Sequence, residues 1–139
     1  MVERDPSELR KQLPPFHSIL TASLVLIGIG LVGLIIIVWF TVPTLGPRWL
    51  LFFLITILFS GLALPVVFYL NRRFPSVPTA SSAVLVREAL LVGAYFDLIL
   101  WLQFGKVLNF ALAIFIAIGL AVIELLIRLG ERSRFNVQR

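Results

Sequence analysis

Four long apolar runs, separated by short polar breaks, dominate the chain. The runs cover roughly residues 18–40, 48–70, 82–104 and 107–128. Because a helix rises about 1.5 Å per residue, a hydrocarbon core about 30 Å thick is crossed by about 20 residues. Each run therefore predicts a transmembrane helix, with an N-terminal arm at 1–17 and a basic C-terminal tail at 129–139.

The breaks between the runs are short, and they contain the Pro and Gly residues that are typical of turns. They lie at 41–47, 71–81 and 103–109. Connections of this length place consecutive helices side by side and antiparallel. The pattern predicts an all-α integral membrane protein, a single domain over residues 1–139 with four transmembrane helices in an up-down-up-down bundle.

Composition supports this class of protein. Hydrophobic residues make up 60% of the 139 residues, and only 14% are charged, against about 25% in a typical soluble domain. A soluble domain of this size could not bury so much apolar surface, because small domains leave a large fraction of their surface exposed. We therefore expect lipid to be the solvent and membrane lipids to be a partner.

The basic residues are unevenly distributed over the two sides of the predicted bundle. Ten of the twelve lie on the side of both termini and the middle connection: Arg4, Arg10, Lys11, Arg72, Arg73, Arg87, Arg128, Arg132, Arg134 and Arg139. Only Arg48 and Lys106 lie on the other side. The positive-inside rule then predicts cytoplasmic termini, and the short loops favour a bacterial inner membrane. Without a folded domain to present these charges, we expect no nucleic-acid partner.

Catalytic and metal-binding patterns are missing from the sequence. The chain has no cysteine and a single histidine, His17, which excludes disulfides, thiolate chemistry and a multi-histidine metal site. No HExxH, GxSxG or P-loop pattern occurs. Gly28, Gly30 and Gly33 match GxGxxG in letters only, because no strand precedes them and no acid follows about 20 residues later. We expect no enzyme activity and no cofactor.

Small residues mark two predicted packing faces. Gly28, Gly30 and Gly33 lie on the first helix, and Ala113, Ala117 and Ala121 recur every four residues on the fourth. Such spacing lets helix backbones approach closely in lipid. The partner of the alanine face is either the third helix of the same chain or another chain.

Ionisable residues inside the runs are the best candidates for a site, because such residues are costly in lipid and usually face protein. They are Arg87, Glu88, Asp97, Glu124 and Arg128. Arg87 and Glu124 fall at similar depth on neighbouring helices, which predicts an ion pair near the cytoplasmic side. Together with Arg72 and Arg73, this cluster could also bind a lipid phosphate.

Asp97 has no evident basic partner in the sequence. Two interpretations remain open: a polar contact between helices, or a carboxyl group that takes up a proton or cation. Pro65 is a second irregularity, because it removes a backbone hydrogen bond within the second helix. Ser60 or Thr56 could help to satisfy the freed groups.

Three functions are compatible with these features. The first is a small non-catalytic accessory, structural or assembly subunit that packs against other membrane proteins. The second is a small homo-oligomeric transporter or channel that uses Asp97 and, secondarily, Glu124. The third is a lipid-binding protein that uses the arginine cluster with Arg72 and Arg73.

Overall fold

The described part of the chain is all-helical. The computed structural model describes residues 13–40, 45–74 and 80–137. They form four helices: α1 (Phe16–Phe40), α2 (Leu45–Arg73), α3 (Ser82–Phe104) and α4 (Phe110–Val137). Most of the N-terminal arm and part of each of the first two connections lie outside the described residues.

Consecutive helices run antiparallel, as their contacts show. On α1 and α2, Gly30 lies against Leu58 whereas Gly33 lies against Leu54. The residue numbers rise along α1 as they fall along α2, so the two helices run in opposite directions. The same relation holds in the later pairs, through Asn71–Glu88 and Thr56–Asp97 between α2 and α3, and through Arg87–Glu124 and Tyr95–Ala113 between α3 and α4. The predicted up-down order of the helices is present in these contacts.

Three of the four helices are long and apolar enough to cross a membrane. They are α1, α2 from Gly46 to Arg73, and α4 from Phe110 to Glu131. The third helix has 23 residues, but every stretch of 18 residues within it contains Arg87, Glu88 and Asp97. Composition alone therefore supports three membrane-length helices, and α3 differs from them by its charge.

Helices α1, α2 and α3 share the core, and α4 lies at its edge. The buried residues concentrate at one end of the bundle, where the start of α1, the end of α2 and the start of α3 meet. They include Ile19, Leu64, Val67, Phe68, Leu85 and Ala89. In contrast, no residue in the apolar stretch of α4 is buried. Most of the surface of α4 is therefore not covered by the other described helices.

The backbone irregularity at Pro65 is compensated from α1. Proline has no N–H, so the carbonyl of Gly61, four residues earlier, loses its partner in the helix. Ser23 on α1, which is only 2% exposed, donates its hydroxyl hydrogen to that carbonyl at 2.6 Å. The expectation that Thr56 or Ser60 would serve here is wrong for this carbonyl. Thr56 instead donates within its own helix or contacts Asp97.

The boundaries of α4 differ from the predicted run of 107–128. The helix begins at Phe110 because Asn109 caps it: the Asn109 Oδ1 accepts from the backbone N–H of Leu112 at 2.7 Å. It continues through Gly130 to Val137, so residues 129–137 are helical, although they were predicted to form a tail. Glu131 gives a physical reason, since it pairs with Arg87 of α3 and holds this extension against the bundle.

Candidate functional site

The acidic and basic residues of α3 and α4 whose side chains the structure describes fall into two separate places. Five of them form one ion-pair network between α3 and α4, which we call the ionic cluster: Arg87, Glu88, Glu124, Arg128 and Glu131. Asp97 lies apart from the cluster, about two and a half turns further along α3, and contacts α2. The two places therefore offer different chemistry.

Arg87 is the centre of the ionic cluster. Its Nε and Nη2 atoms donate to the two carboxylate oxygens of Glu124 at 3.2 Å and 3.0 Å, the forked geometry that suits a guanidinium group. Its Nη1 atom donates to Glu131 Oε1 at 2.6 Å. One arginine of α3 thus holds two acids that are two turns apart on α4.

Arg128 joins the cluster to α2 and α3. Its Nε donates to Glu124 Oε1 at 3.0 Å, within the same helix, and its Nη2 contacts Glu88 on α3. The other oxygen of Glu88 accepts from the Asn71 Nδ2 of α2 at 2.9 Å. Because Asn71 is buried, this chain of contacts links α2, α3 and α4 at the core end of the bundle.

The electrostatic balance of the cluster favours a structural role. Each guanidinium group faces two carboxylates, and Glu88 and Glu124 are 12% and 16% exposed. Pairing and hydrogen bonding offset the cost of removing such charges from water. Neither Arg72 nor Arg73 pairs with the cluster in the described contacts. Both are exposed, and Arg73 lies over the ring of Phe74.

Glu131 and Asn71 belong to this site although neither was predicted from the sequence. Glu131 follows Glu124 by seven residues and Arg128 by three, so all three share one face of a continuous helix. The expected end of α4 near residue 128 concealed this spacing. Asn71 gave no signal, because a single asparagine beside a loop is typical of a turn.

Asp97 meets a small polar patch on α2. Its Oδ2 contacts the hydroxyl of Thr56, whereas its Oδ1 is buried and has no hydrogen-bond partner among the described residues. Ser60, one turn from Thr56, is 3% exposed and its hydroxyl likewise has no partner there. We call Thr56, Ser60, Gly93 and Asp97 the Asp97 site.

The alanine face does not close against α3. Between α3 and α4 there is a groove of about 240 Å³, lined by Glu88, Leu91, Val92, Tyr95, Ala117, Leu120, Ala121 and Glu124. Its walls are almost wholly apolar. Glu88 and Glu124 of the ionic cluster line one end of it, and towards the other the Tyr95 hydroxyl donates to the carbonyl of Ala113 at 3.5 Å.

The predicted glycine face divides into two parts. Gly30 and Gly33 lie against Leu58 and Leu54 of α2, so close that a methyl group at residue 30 would approach the Leu58 backbone to 2.9 Å. Gly28 has nothing within 4 Å of such a methyl group. Two further close approaches, at Gly61 and Gly93, were not singled out from the sequence. Gly93 lies four residues before Asp97, on the same face of α3.

The fold and the site define an all-helical protein with three membrane-length helices and charges joined across helix interfaces. Among the described residues, no group of three His, Asp or Glu side chains is arranged to hold a metal ion. Comparison of the chain with protein-family models, curated proteins and solved structures finds no match.

Proposed function

We propose that this chain is a small non-catalytic membrane protein that acts as an accessory or assembly subunit and packs against other membrane proteins. The observation that carries the proposal is the state of α4. No residue of its apolar stretch is buried, and its small residues Ala117 and Ala121 line an open groove beside α3.

The groove supports the proposal because packing is the main source of helix association in lipid. Lipid chains are as apolar as leucine side chains, so association depends on van der Waals contact, polar contacts and close approach at small residues. A gap along an interface forfeits such contacts. A partner helix that inserts a bulky side chain between α3 and α4 would gain them, and the ionic cluster keeps α4 in place to receive it.

We also propose that all four helices cross the membrane, with both termini in the cytoplasm, in a bacterial inner membrane. If α2 and α4 both span the bilayer, α3 must cross it too, because it runs antiparallel between them. The excess of arginine at the termini and the middle connection supports this orientation. Since the chain has no cysteine, single cysteines at Lys106 and Ser133 can test it with an impermeant thiol reagent in intact cells. Labelling at residue 106 but not at residue 133 is the expected result.

The function is tested by extraction in native lipid followed by mass measurement of the intact assembly. We expect the chain to be bound to other membrane subunits at fixed stoichiometry. The double variant Ala117→Leu/Ala121→Leu fills the groove and should lose those subunits. Ala111→Leu changes the same residue type on another face of α4 and should keep them. Recovery of the wild-type chain alone, as a monomer or homo-oligomer, would refute the accessory function.

A second candidate function is a small homo-oligomeric transporter or channel, and the Asp97 site favours it. A carboxyl group inside a membrane helix is costly and often marks an ion pathway. Glu124 supports this function less, because Arg87 and Arg128 already engage it. If the chain transports ions, Asp97→Asn should abolish flux in reconstituted vesicles while the fold persists, and the groove variants should have little effect.

The lipid-binding alternative depends on Arg72 and Arg73. Both are exposed at the end of α2, where basic side chains attract anionic headgroups by about 1 kcal/mol each. The variant Arg72→Ala/Arg73→Ala should then bind vesicles rich in anionic lipid more weakly, by roughly thirtyfold for two such charges. A lipid-binding function predicts no effect of Asp97→Asn in the same assay.

A further inference from the structure

In the Asp97 site, the number of hydrogen atoms available to donate can be compared with the number of oxygen atoms that accept. The Thr56 hydroxyl lies 3.2 Å from the carbonyl oxygen of Phe52, one turn earlier on α2, and it also contacts Asp97 Oδ2. Both neighbours of the hydroxyl oxygen are acceptors if Asp97 is ionised. A threonine hydroxyl has one hydrogen to donate and two lone pairs that accept.

We propose that Asp97 is a proton-binding site, a neutral carboxylic acid in the membrane that donates its own proton to the Thr56 hydroxyl. Thr56 then donates its hydrogen to the Phe52 carbonyl, so each of the two contacts of the Thr56 hydroxyl has one donor and one acceptor. An ionised Asp97 would compete with that carbonyl for the single hydrogen of Thr56. Geometry therefore assigns the second proton to Asp97.

The other oxygen of Asp97 points to the same protonation state. Oδ1 is buried and has no hydrogen-bond partner among the described residues. An unpartnered oxygen is much costlier in a carboxylate than in a neutral acid, because the charge must be solvated. The Phe59 and Phe96 rings, stacked 3.9 Å apart at the same α2–α3 interface, add apolar surroundings.

Among the side chains that the structure describes on α2, α3 and α4, no charged group is placed to compensate an ionised Asp97. On α2, residues 49–71 contain no acid or base other than Tyr69, and on α4 none occurs from Phe110 to Ile123. On α3 itself, Arg87 and Glu88 belong to the ionic cluster, and Tyr95 contacts α4. Arg48 lies over the Phe104 ring, and Lys106 lies beyond the end of α3.

Gly93 explains why the two helices come close enough for Asp97 to contact the polar patch of α2. A methyl group at residue 93 would lie 2.7 Å from the carbonyl oxygen of Thr56, so a larger residue would separate α3 from the polar patch of α2. Gly93 and Asp97 are one turn apart on α3, and they lie against Thr56 and Ser60, which are one turn apart on α2. This arrangement goes beyond helix packing, because it specifies a carboxyl group that can bind and release one proton.

The composition of the chain allows a direct test. Its only aspartates are Asp5 and Asp97, so in an Asp5→Asn variant all aspartate signal comes from Asp97. This variant would be made by cell-free synthesis into lipid vesicles, with and without aspartate carrying ¹³C at the side-chain carboxyl, and compared by infrared spectroscopy. At pH 7 we expect the isotope-shifted carbonyl band of a carboxylic acid, which is replaced by carboxylate bands at higher pH. Carboxylate bands alone at pH 7 would overturn the proposal.

Variants of Thr56 test the direction of the hydrogen bond. Thr56→Val removes the acceptor, so the acid should remain neutral and its carbonyl band should move to higher frequency. Thr56→Ser keeps a hydroxyl and should restore the original band. If Asp97 keeps its band position in Thr56→Val, the acid does not donate to Thr56 and the assignment fails. Circular dichroism of each sample checks that the helices are intact.

Discussion

Ser23 of α1 donates a hydrogen bond from its hydroxyl to the carbonyl of Gly61 on α2, at 2.6 Å and buried between the two helices. That carbonyl is the one that Pro65 deprives of a helical partner. A hydroxyl on one helix thus repairs a gap in the backbone of its neighbour. In lipid, where no water is present to do so, such repair is a condition for a proline within a span.

The link between Ser23 and Pro65 predicts a dependence of one substitution on the other. Ser23→Ala should lower the free energy of unfolding by about 1–3 kcal/mol, because it leaves a buried carbonyl without a partner. In a Pro65→Ala background residue 65 regains its N–H, and the same change should cost well under about 1 kcal/mol. Unfolding titrations with sodium dodecyl sulfate in mixed micelles measure these differences.

The control for this cycle is Thr21→Ala on the same helix. Thr21 is exposed and donates only to the carbonyl of His17 in its own helix, at 2.8 Å, so its loss should change stability by no more than about 0.5 kcal/mol. Equal costs of Ser23→Ala with Pro65 and with alanine at residue 65 would show that the serine does not serve the proline.

Gly30 and Gly28 give a matched pair for the packing of α1 on α2. Gly30→Ala would bring a methyl group to 2.9 Å from the Leu58 Cα, and we expect a loss of about 1–3 kcal/mol because the α2 backbone must move. Gly28→Ala meets nothing within 4 Å and should be neutral, or stabilising by up to about 1 kcal/mol, because alanine favours the helix. The same unfolding titration compares them, and similar effects at both positions would contradict the packing shown here.

Much of the fold could be predicted because hydrophobic length and loop length are local properties. The third run, 82–104, coincides with α3, and adjacency with similar depth was enough to anticipate the contact of Arg87 with Glu124. The hydroxyl for the Gly61 carbonyl could not be identified in this way. Ser23 is 38 residues away, and local reasoning favours donors within the same helix.

Glu131 of the ionic cluster is a second residue whose contact the sequence pattern did not predict. Gly130 and the arginines after it resemble the end of a helix, so Glu131 was assigned to a tail. The helix continues because glycine only weakens a helix, by about 1 kcal/mol, and contacts elsewhere can offset that cost. The contact of Glu131 with Arg87 is one of them, and it depends on tertiary structure rather than on local preference.

Removal of Arg87 should loosen α4. Arg87→Met leaves Glu124 with Arg128 alone and Glu131 without the pairing shown here, and we expect a loss of about 1–3 kcal/mol. This is less than for a fully buried pair, because the Arg87 side chain is 28% exposed. Glu131→Gln, at a side chain 41% exposed, should cost at most about 1 kcal/mol. Unfolding titration, with proteolysis of the C-terminal part of α4 as a second readout, measures both effects.

The matched control for Arg87→Met is Arg73→Met, which removes an exposed arginine that lies over Phe74. It should leave the stability and the protease resistance of α4 unchanged. In the double variant Arg87→Met/Glu124→Gln the combined cost should be smaller than the sum of the two single costs, because the pair is removed together. Additive costs would mean that Arg87 stabilises the protein without acting through Glu124.

The backbone angles in the turn between α3 and α4 predict different effects of substitution at two neighbouring residues. Lys106 adopts φ 54°, whereas Gly105 has φ −75°. The backbone N–H groups of Lys106 and Val107 donate to the carbonyls of Gln103 and Leu102 at 3.0 Å and 3.1 Å, the pattern of a helix end that needs one left-handed residue. The left-handed position is therefore occupied by the lysine, and the glycine before it uses none of its conformational freedom.

Lys106→Gly should accordingly stabilise the protein by about 0.5–1 kcal/mol, since a side chain in the left-handed region costs about 1 kcal/mol or more. Gly105→Ala should be tolerated or stabilising, because its methyl group would meet the nearest atoms at 3.5 Å. Lys106→Ala separates loss of charge from relief of strain: it removes the amine but keeps the Cβ, and should not stabilise. If Lys106→Ala and Lys106→Gly raise the free energy of unfolding equally, charge rather than backbone geometry controls this turn.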